Sequence, residues 1–429
     1  MVVPIVRGSQ TVDEGFAILK CGIPGLLTMP GATRACRIRV LGGGLVGRLV
    51  VSELHEAGHE VTLVDLDPKT LEWATGLGVV TIHGDATASA PSNPNAATGT
   101  GSPIGEQAAT EPGGGEYTDD ILDVTQADIW VNLLPGSLGD CVRRPLLERG
   151  AKVADLSFTV EDPRRLDELA KANAGLLLYD VGVAPGLSNL WVANACAQFK
   201  VGGEVAEKVE IRVGGIPREP DSQQEDGWSY MAPFSPSDVI AEYERPARIR
   251  IAGKLCTEPA LTRRHRYCDP EVGELEAFLT DGLRSLLDID CPTLLEYTLR
   301  WPGHIERFIA LRDEGALEGD NRKKTLQDLY QQWIFDPQRP EITLLSVVVE
   351  SQNLIWRGRL FDDGGGGWSS MARTTGLVTL AAVEAIMSDL IPSGVCAPEQ
   401  VWQELLPLAE KRLASAGVVL RRDNTIRTR

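Results

Sequence analysis

The chain has 429 residues, 43% of them hydrophobic, and sets 42 Lys plus Arg against 60 Asp plus Glu, a formal net charge of −18. That length suffices for two or three cores, and so acidic a surface repels nucleic-acid phosphates and anionic lipid, so neither is expected as a partner. The eight scattered cysteines (Cys21, Cys36, Cys141, Cys196, Cys256, Cys268, Cys291, Cys396) make no C-x-x-C pair and stand at no ligand spacing from a histidine. They are expected to be reduced thiols of a cytoplasmic protein without a metal site.

Residues 1–35 read as a loose N-terminal extension. Their apolar stretch, 16–27, follows Asp13 and Glu14 instead of a basic segment and is interrupted by Lys20, Gly22, Pro24 and Gly25, and no run approaches the roughly 20 residues of a membrane span. The first predicted strand ends in Val40 and Leu41. Gly42, Gly44 and Gly47 follow at G-x-G-x-x-G spacing. Next, Leu45, Val46, Leu49, Val50, Leu54 and Ala57 form one helical stripe stopped by Gly58, and EVTLVDLD is a strand ending at Asp65 and Asp67.

In that order the elements build a phosphate cradle. Gly42 allows the tight turn, Gly44 lets a pyrophosphate approach the amides running through Leu45 and Val46, and Gly47 lets the helix lie close to the strand. The helix N-terminus supplies unpaired donors. Asp65 is placed to accept from the adenosine ribose hydroxyls and to repel a 2′-phosphate, which favours NAD over NADP, a preference softened by nearby Arg48 and Lys69. The alternative is an ordinary turn with Asp65 capping a strand.

The alternation continues through a helix at LEWATGL, a strand at VVTIHGD, a further helix, a strand at DIWVNLLP, a helix at GDCVRRPLLERG, a strand at AKVADLSF, a helix at PRRLDELAKANAG and a strand at LLLYDVGVAPG. This predicts an α/β, Rossmann-type, doubly wound parallel sheet over 36–185, with ligands beyond the carboxyl ends of its strands. Asp85 is then expected near the adenine, and the turn Asn132, Leu133, Leu134, Pro135 near the nicotinamide. Residues 88–118 contain no Lys or Arg and are dense in small residues; they read as a surface insertion, or alternatively as a lid. Further on, EVAEKVEIRVGGIP predicts a strand opening a second domain, EITLLSVVVESQNLIWRGRLFD predicts antiparallel strands, and TTGLVTLAAVEAIMSDLI and PEQVWQELLPLAEKRLASAG predict helices, the last ended by Gly417.

The string GVAPGLSN, preceded by DLSF and VNLLP, resembles the saccharopine dehydrogenase superfamily. FSPSDVIAEYERPA, EAFLTDGLRSLL, TLRWPGH, SMARTTG and APEQVW are similar to its lysine 6-dehydrogenase branch. The resemblance spans about residues 36–429; the leader and the 88–118 insertion depart from it. It implies a substrate and dimerisation domain over 186–370, C-terminal helices over 371–429 returning to the first domain, and a homodimer. The implied reaction is NAD-dependent oxidative deamination of the lysine ε-amine to the semialdehyde, with release of ammonia. A glutamate-forming saccharopine dehydrogenase, a dehydrogenase of another ω-amino acid and a dinucleotide-binding sensor without turnover are the rival readings.

A lysine amine has a pKa near 10.4 and must lose a proton before it can release hydride. Of the five histidines, His304 lies in the WPGH motif and is the candidate base, the alternative being a surface or helix-capping residue. Asp155 and Asp281 are candidates to orient the amine or water, with Ser157 beside them, though such aspartates equally often cap helices. Arg300 and Arg373 are candidates for the substrate carboxylate, or else members of structural ion pairs. Gly182, Pro185, Gly186 and Asn189 are expected to shape the turn under the nicotinamide. Trp228, Tyr230, Phe234 and Phe278 wall an apolar slot or pack in the core.

Overall fold

The computed structural model describes residues 35–88, 121–221 and 227–426. Residues 1–34 of the N-terminal extension and nearly all of the 88–118 insertion lie outside these residues; the helix expected between the third and fourth strands is not found in the described part of that stretch, where Asp123 accepts from Thr125 N–H and closes only a short 3-10 turn, Val124–Gln126.

The first sheet begins with β1 (Arg37–Leu41), whose Ile38, Val40 and Leu41 are buried. α1 (Leu45–Glu56) lays Leu49, Val50 and Leu54 against it, and Gly58 takes a positive φ after the helix ends. β2 (Glu60–Asp65), α2 (Pro68–Gly76) and β3 (Val80–His83) follow. α2 starts where Asp67 accepts from the Lys69 N–H and proline occupies the first turn. Beyond the insertion come β4 (Ile129–Asn132), α3 (Gly136–Glu148), β5 (Lys152–Asp155), α4 (Asp167–Ala172) and β6 (Leu176–Tyr179). With β15 (Gly394–Cys396) they order as β15-β6-β5-β4-β1-β2-β3, every neighbour parallel. This is the doubly wound parallel sheet that the alternation predicts.

α5 (Leu187–Val201) leads into the second sheet, which is mixed: β7 (Lys208–Pro217) runs parallel to β12 (Thr293–Arg300), and the other neighbours are antiparallel. Its order is β10 (His265–Asp269), β11 (Gly273–Leu279), β12, β7, β13 (Glu341–Glu350), β14 (Leu354–Asp362) and β16 (Val419–Ile426); β8 (Ala247–Ile251) pairs with β12 and with β9 (Lys254–Glu258). α6 (Pro236–Glu244), α7 (His304–Asp313) and α8 (Gly319–Gln332) cover one region of it around Tyr243, Phe278, Phe308 and Trp333.

After residue 370 the chain is not helical alone. α9 (Ser370–Met387) packs on α1, β4 and β5, and α10 (Trp402–Ser415) packs on α5 and α9. β15 extends the first sheet and β16 the second. One apolar core joins Ile38, Val50 and Leu63 to Val209, Leu294 and Leu345 without a break.

Candidate active site

A cleft of about 940 Å³ lies between the carboxyl ends of the first sheet and the second sheet. On the first side it is lined by Gly42, Gly44, Leu45, Val46, Gly47, Asp65, Asp85, Leu133, Leu134, Pro135, Ser157, Gly182 and Pro185, so these expected residues come together. The glycine turn has the shape of an anion cradle. A methyl group at Gly47 would overlap the Gly42 carbonyl oxygen, and Gly42 has φ +95° against the Leu133 backbone, whereas one at Gly44 would meet nothing within 4 Å. No side chain caps the α1 N-terminus and its first turn holds no acid, so its outward N–H groups are free for a diphosphate. The residues present thus fit a dinucleotide. Asp65 also organises the turn: its carboxylate accepts from Gly43 N–H (2.6 Å) and Asp67 N–H (2.8 Å). Arg48 stacks on Trp73 and donates to Thr70, while Asp85 accepts from Thr87.

Several expected residues stand elsewhere. Asp155 is fully buried and held by the buried Arg143 (2.8 and 3.0 Å), by Asn132 Nδ2 (2.9 Å) and by Ser157 N–H (2.9 Å). Its oxygens are saturated, so Asp155 and Asn132 brace the strand tips and do not reach the cleft. His304 is buried among Trp228, Tyr230, Tyr243 and Trp333, with Nε2 at 3.0 Å from the Tyr243 hydroxyl and Nδ1 at 3.0 Å from the Trp228 carbonyl. Burial, reinforced by the Arg300 charge, pulls its pKa down to about 3. With both nitrogens engaged, it cannot receive a substrate proton directly. Arg373 pairs with Asp362 (2.8 Å) and donates to the Ala416 carbonyl, a structural link. Asn189 reaches back to Gly186 N–H and donates to Glu399; neither it nor Gly186 lines the cleft. Trp228, Tyr230 and Phe278 belong to the aromatic core, and only Phe234 of that group lines the cleft.

Asp281 and Arg300 do line it. Asp281 is neutralised by Arg248 (2.9 Å). Arg300 donates to the Tyr243 hydroxyl (2.8 Å) and the Leu299 carbonyl (2.9 Å), with its guanidinium over the Tyr230 ring. No carboxylate among the described residues forms an ion pair with it.

The residues that sequence reasoning missed are Glu242, Arg245, Thr280, Glu296 and Thr298, all on the cleft wall. Glu296, Thr298 and Arg300 recur at every second position of β12, which sends them to one face. The polar alternation in LLEYTLR was the available signal. Glu296 is 4% exposed; burial first, then the Glu242 and Asp281 charges, raise its pKa well above the ordinary carboxylate range. Glu242 lies on α6, Arg245 immediately follows that helix, and Thr280 immediately follows β11. Asp238 accepts from Gly136 N–H (3.3 Å), which sets this helix against the Leu133–Pro135 turn, and Glu242 follows about 6 Å further along it. Arg245 lies over Phe158 with no ion pair among the described residues, and burial lowers its pKa from the ordinary value. Nearby Arg284 is already paired with Asp180 (3.0 Å).

Comparison with known proteins gives two family-model matches: a saccharopine dehydrogenase C-terminal domain over residues 182–418 and a TrkA-N domain over residues 38–90. No curated protein matches. Among solved structures, an apo saccharopine dehydrogenase (L-Glu forming) from Saccharomyces cerevisiae is 15% identical at TM-score 0.69, covering 91% of this chain and 100% of that one. A UDP-N-acetylglucosamine 3-dehydrogenase from Acidithiobacillus ferrooxidans is 9% identical at TM-score 0.38, covering 89% and 98%.

Proposed function

Because the chain belongs to the family defined by the saccharopine dehydrogenase C-terminal domain, we propose that it is an NAD-dependent dehydrogenase that oxidises the ε-amine of lysine and releases ammonia. The observation that carries this reading is the continuity of one cleft from an unobstructed glycine cradle to a wall bearing both carboxylates and uncompensated arginines. Bound NAD would accept the hydride.

The main-chain amides at the start of α1 and at Gly44 would hold the diphosphate, and Asp65 would accept from the ribose hydroxyls and oppose a 2′-phosphate. Arg245 and Arg300 take the substrate carboxylate, since each is a desolvated cation that gains from an anion. Leu134, Pro135 and Phe234 shed water from the alkyl chain. The same two arginines favour a second reading, saccharopine, whose additional carboxylates would occupy both. Reduced-nicotinamide absorbance separates the two: lysine with NAD should give signal at alkaline pH, and a signal with saccharopine alone would replace this proposal by the second. Placing Ser at Asp65 together with Arg at Leu66 should shift preference toward NADP; a wild-type protein indifferent to the two cofactors would refute the role of Asp65.

A further inference from the structure

Glu242 and Glu296 are joined through two hydroxyls. Thr298 donates to Glu242 Oε1, the Thr280 and Thr298 hydroxyls lie 2.9 Å apart, and Thr280 Oγ1 stands 3.4 Å from Glu296 Oε2. Each hydroxyl has a single proton to give. With that of Thr298 directed at Glu242, the Thr298 oxygen accepts from Thr280, and the Thr280 oxygen is left to accept from a protonated Glu296. One proton therefore belongs to the pair, and the row is polarised from the buried carboxyl to the carboxylate on α6. A concerted shift of three protons reverses it with no movement of heavy atoms.

We propose that this row is the receptor for the primary ammonium group of the substrate and takes its proton, a role that rests on the reading above that the cleft binds an amino acid with a distal amine. No ion pair among the described residues compensates Glu242 or Glu296. Of the surrounding charges, Asp281 is tied to Arg248 and Arg284 to Asp180, while Arg245 and Arg300 act on Glu242 through space without forming an ion pair with it. Glu296 is buried without an ion-pair partner, which is costly, and an ammonium entering beside half-buried Glu242 offsets part of that cost. One N–H bond of the ammonium then breaks and an O–H bond forms on Glu242, leaving a neutral amine with a free lone pair. Both carboxyls then hold a proton, and Glu242, on the cleft wall, releases the added one to water. Gly282 is part of the device, because a methyl group there would overlap the Glu296 carboxylate.

The test is calorimetric titration of the full chain with L-lysine, diaminopentane and L-norleucine, the last matching lysine in length but lacking its ammonium. Wild type should prefer lysine to norleucine by about tenfold or more; Glu242→Gln should bring the two affinities together while keeping the wild-type circular dichroism, whereas Glu296→Gln, which keeps a donor toward Thr280, should retain the preference. Thr298→Val should weaken lysine binding and Thr298→Ser restore it. In turnover, the rate of Glu242→Gln should keep climbing with pH toward the lysine pKa near 10.4, where wild type has levelled. An unchanged lysine preference in folded Glu242→Gln, or no preference for either ammonium probe in wild type, overturns the receptor. Ammonium preference without any nicotinamide reduction by lysine overturns the reaction instead and leaves the receptor standing.

Discussion

Gly47 has no room for a side chain and Gly44 has nothing but room, so the two glycines should fail differently. Gly47→Ala is expected to cost about 1–3 kcal/mol of stability by forcing α1 off β1, and thermal melting measures it. Gly44→Ala should melt as wild type does yet bind NAD at least about tenfold more weakly by calorimetry, because the methyl group stands where the diphosphate approaches. Glu296 gives a pH prediction. Its folded pKa is raised above the ordinary 4.5, so its contribution is fully present below that value and is lost as pH rises toward the folded value. Glu296→Gln should therefore melt above wild type at pH 8, with the gap closing near pH 4. His304 acts in the opposite sense: its pKa is lowered from 6.5 to about 3, and stability is lost as pH falls through that interval. At this scale the glycines and Asp65 were legible because their work is done by nearby main chain. Asp155 and Arg373 were not, since the partners that saturate them, Arg143 and Asp362, are brought in by the fold.

Elements differ in how plainly they announce themselves. The inner parallel strands of the first sheet, β4 and β6 above all, are short apolar runs buried on both faces, and α1, α9 and α10 carry continuous helical stripes. β15 is too short to display any period. β16 is exposed along nearly all its length and lacks a buried face to alternate with. α7 and α8 went unread because their apolar residues serve a small local cluster, leaving α8 with Leu329 alone fully buried. The packing of α9 on α1 is close: a methyl group at Gly376 would come within 2.7 Å of Leu49. Gly376→Leu should destabilise the protein by about 1–3 kcal/mol in urea titrations; an unchanged midpoint would mean that the two helices part readily.

For the whole molecule, the unbroken core beneath both sheets predicts one cooperative transition. NAD at about 100 times its Kd should raise the unfolding free energy by about 2.7 kcal/mol and move signals from both sheets together; a second transition untouched by NAD would show that the sheets unfold separately. The fold class was readable at this scale because periodicity and order of elements carry it. The cleft wall was not, since it joins α6, β11 and β12 from separated stretches of sequence.

The late strands β15 and β16 bear on how the protein is made. Each occupies an outer edge, one in either sheet, and both emerge from the ribosome after almost everything they pair with. Until β15 has been synthesised β6 presents an open row of hydrogen-bonding groups, and until β16 has followed so does β14. The growing polypeptide is thus open to adhering to its neighbours along these two borders until each late strand has docked on its own sheet.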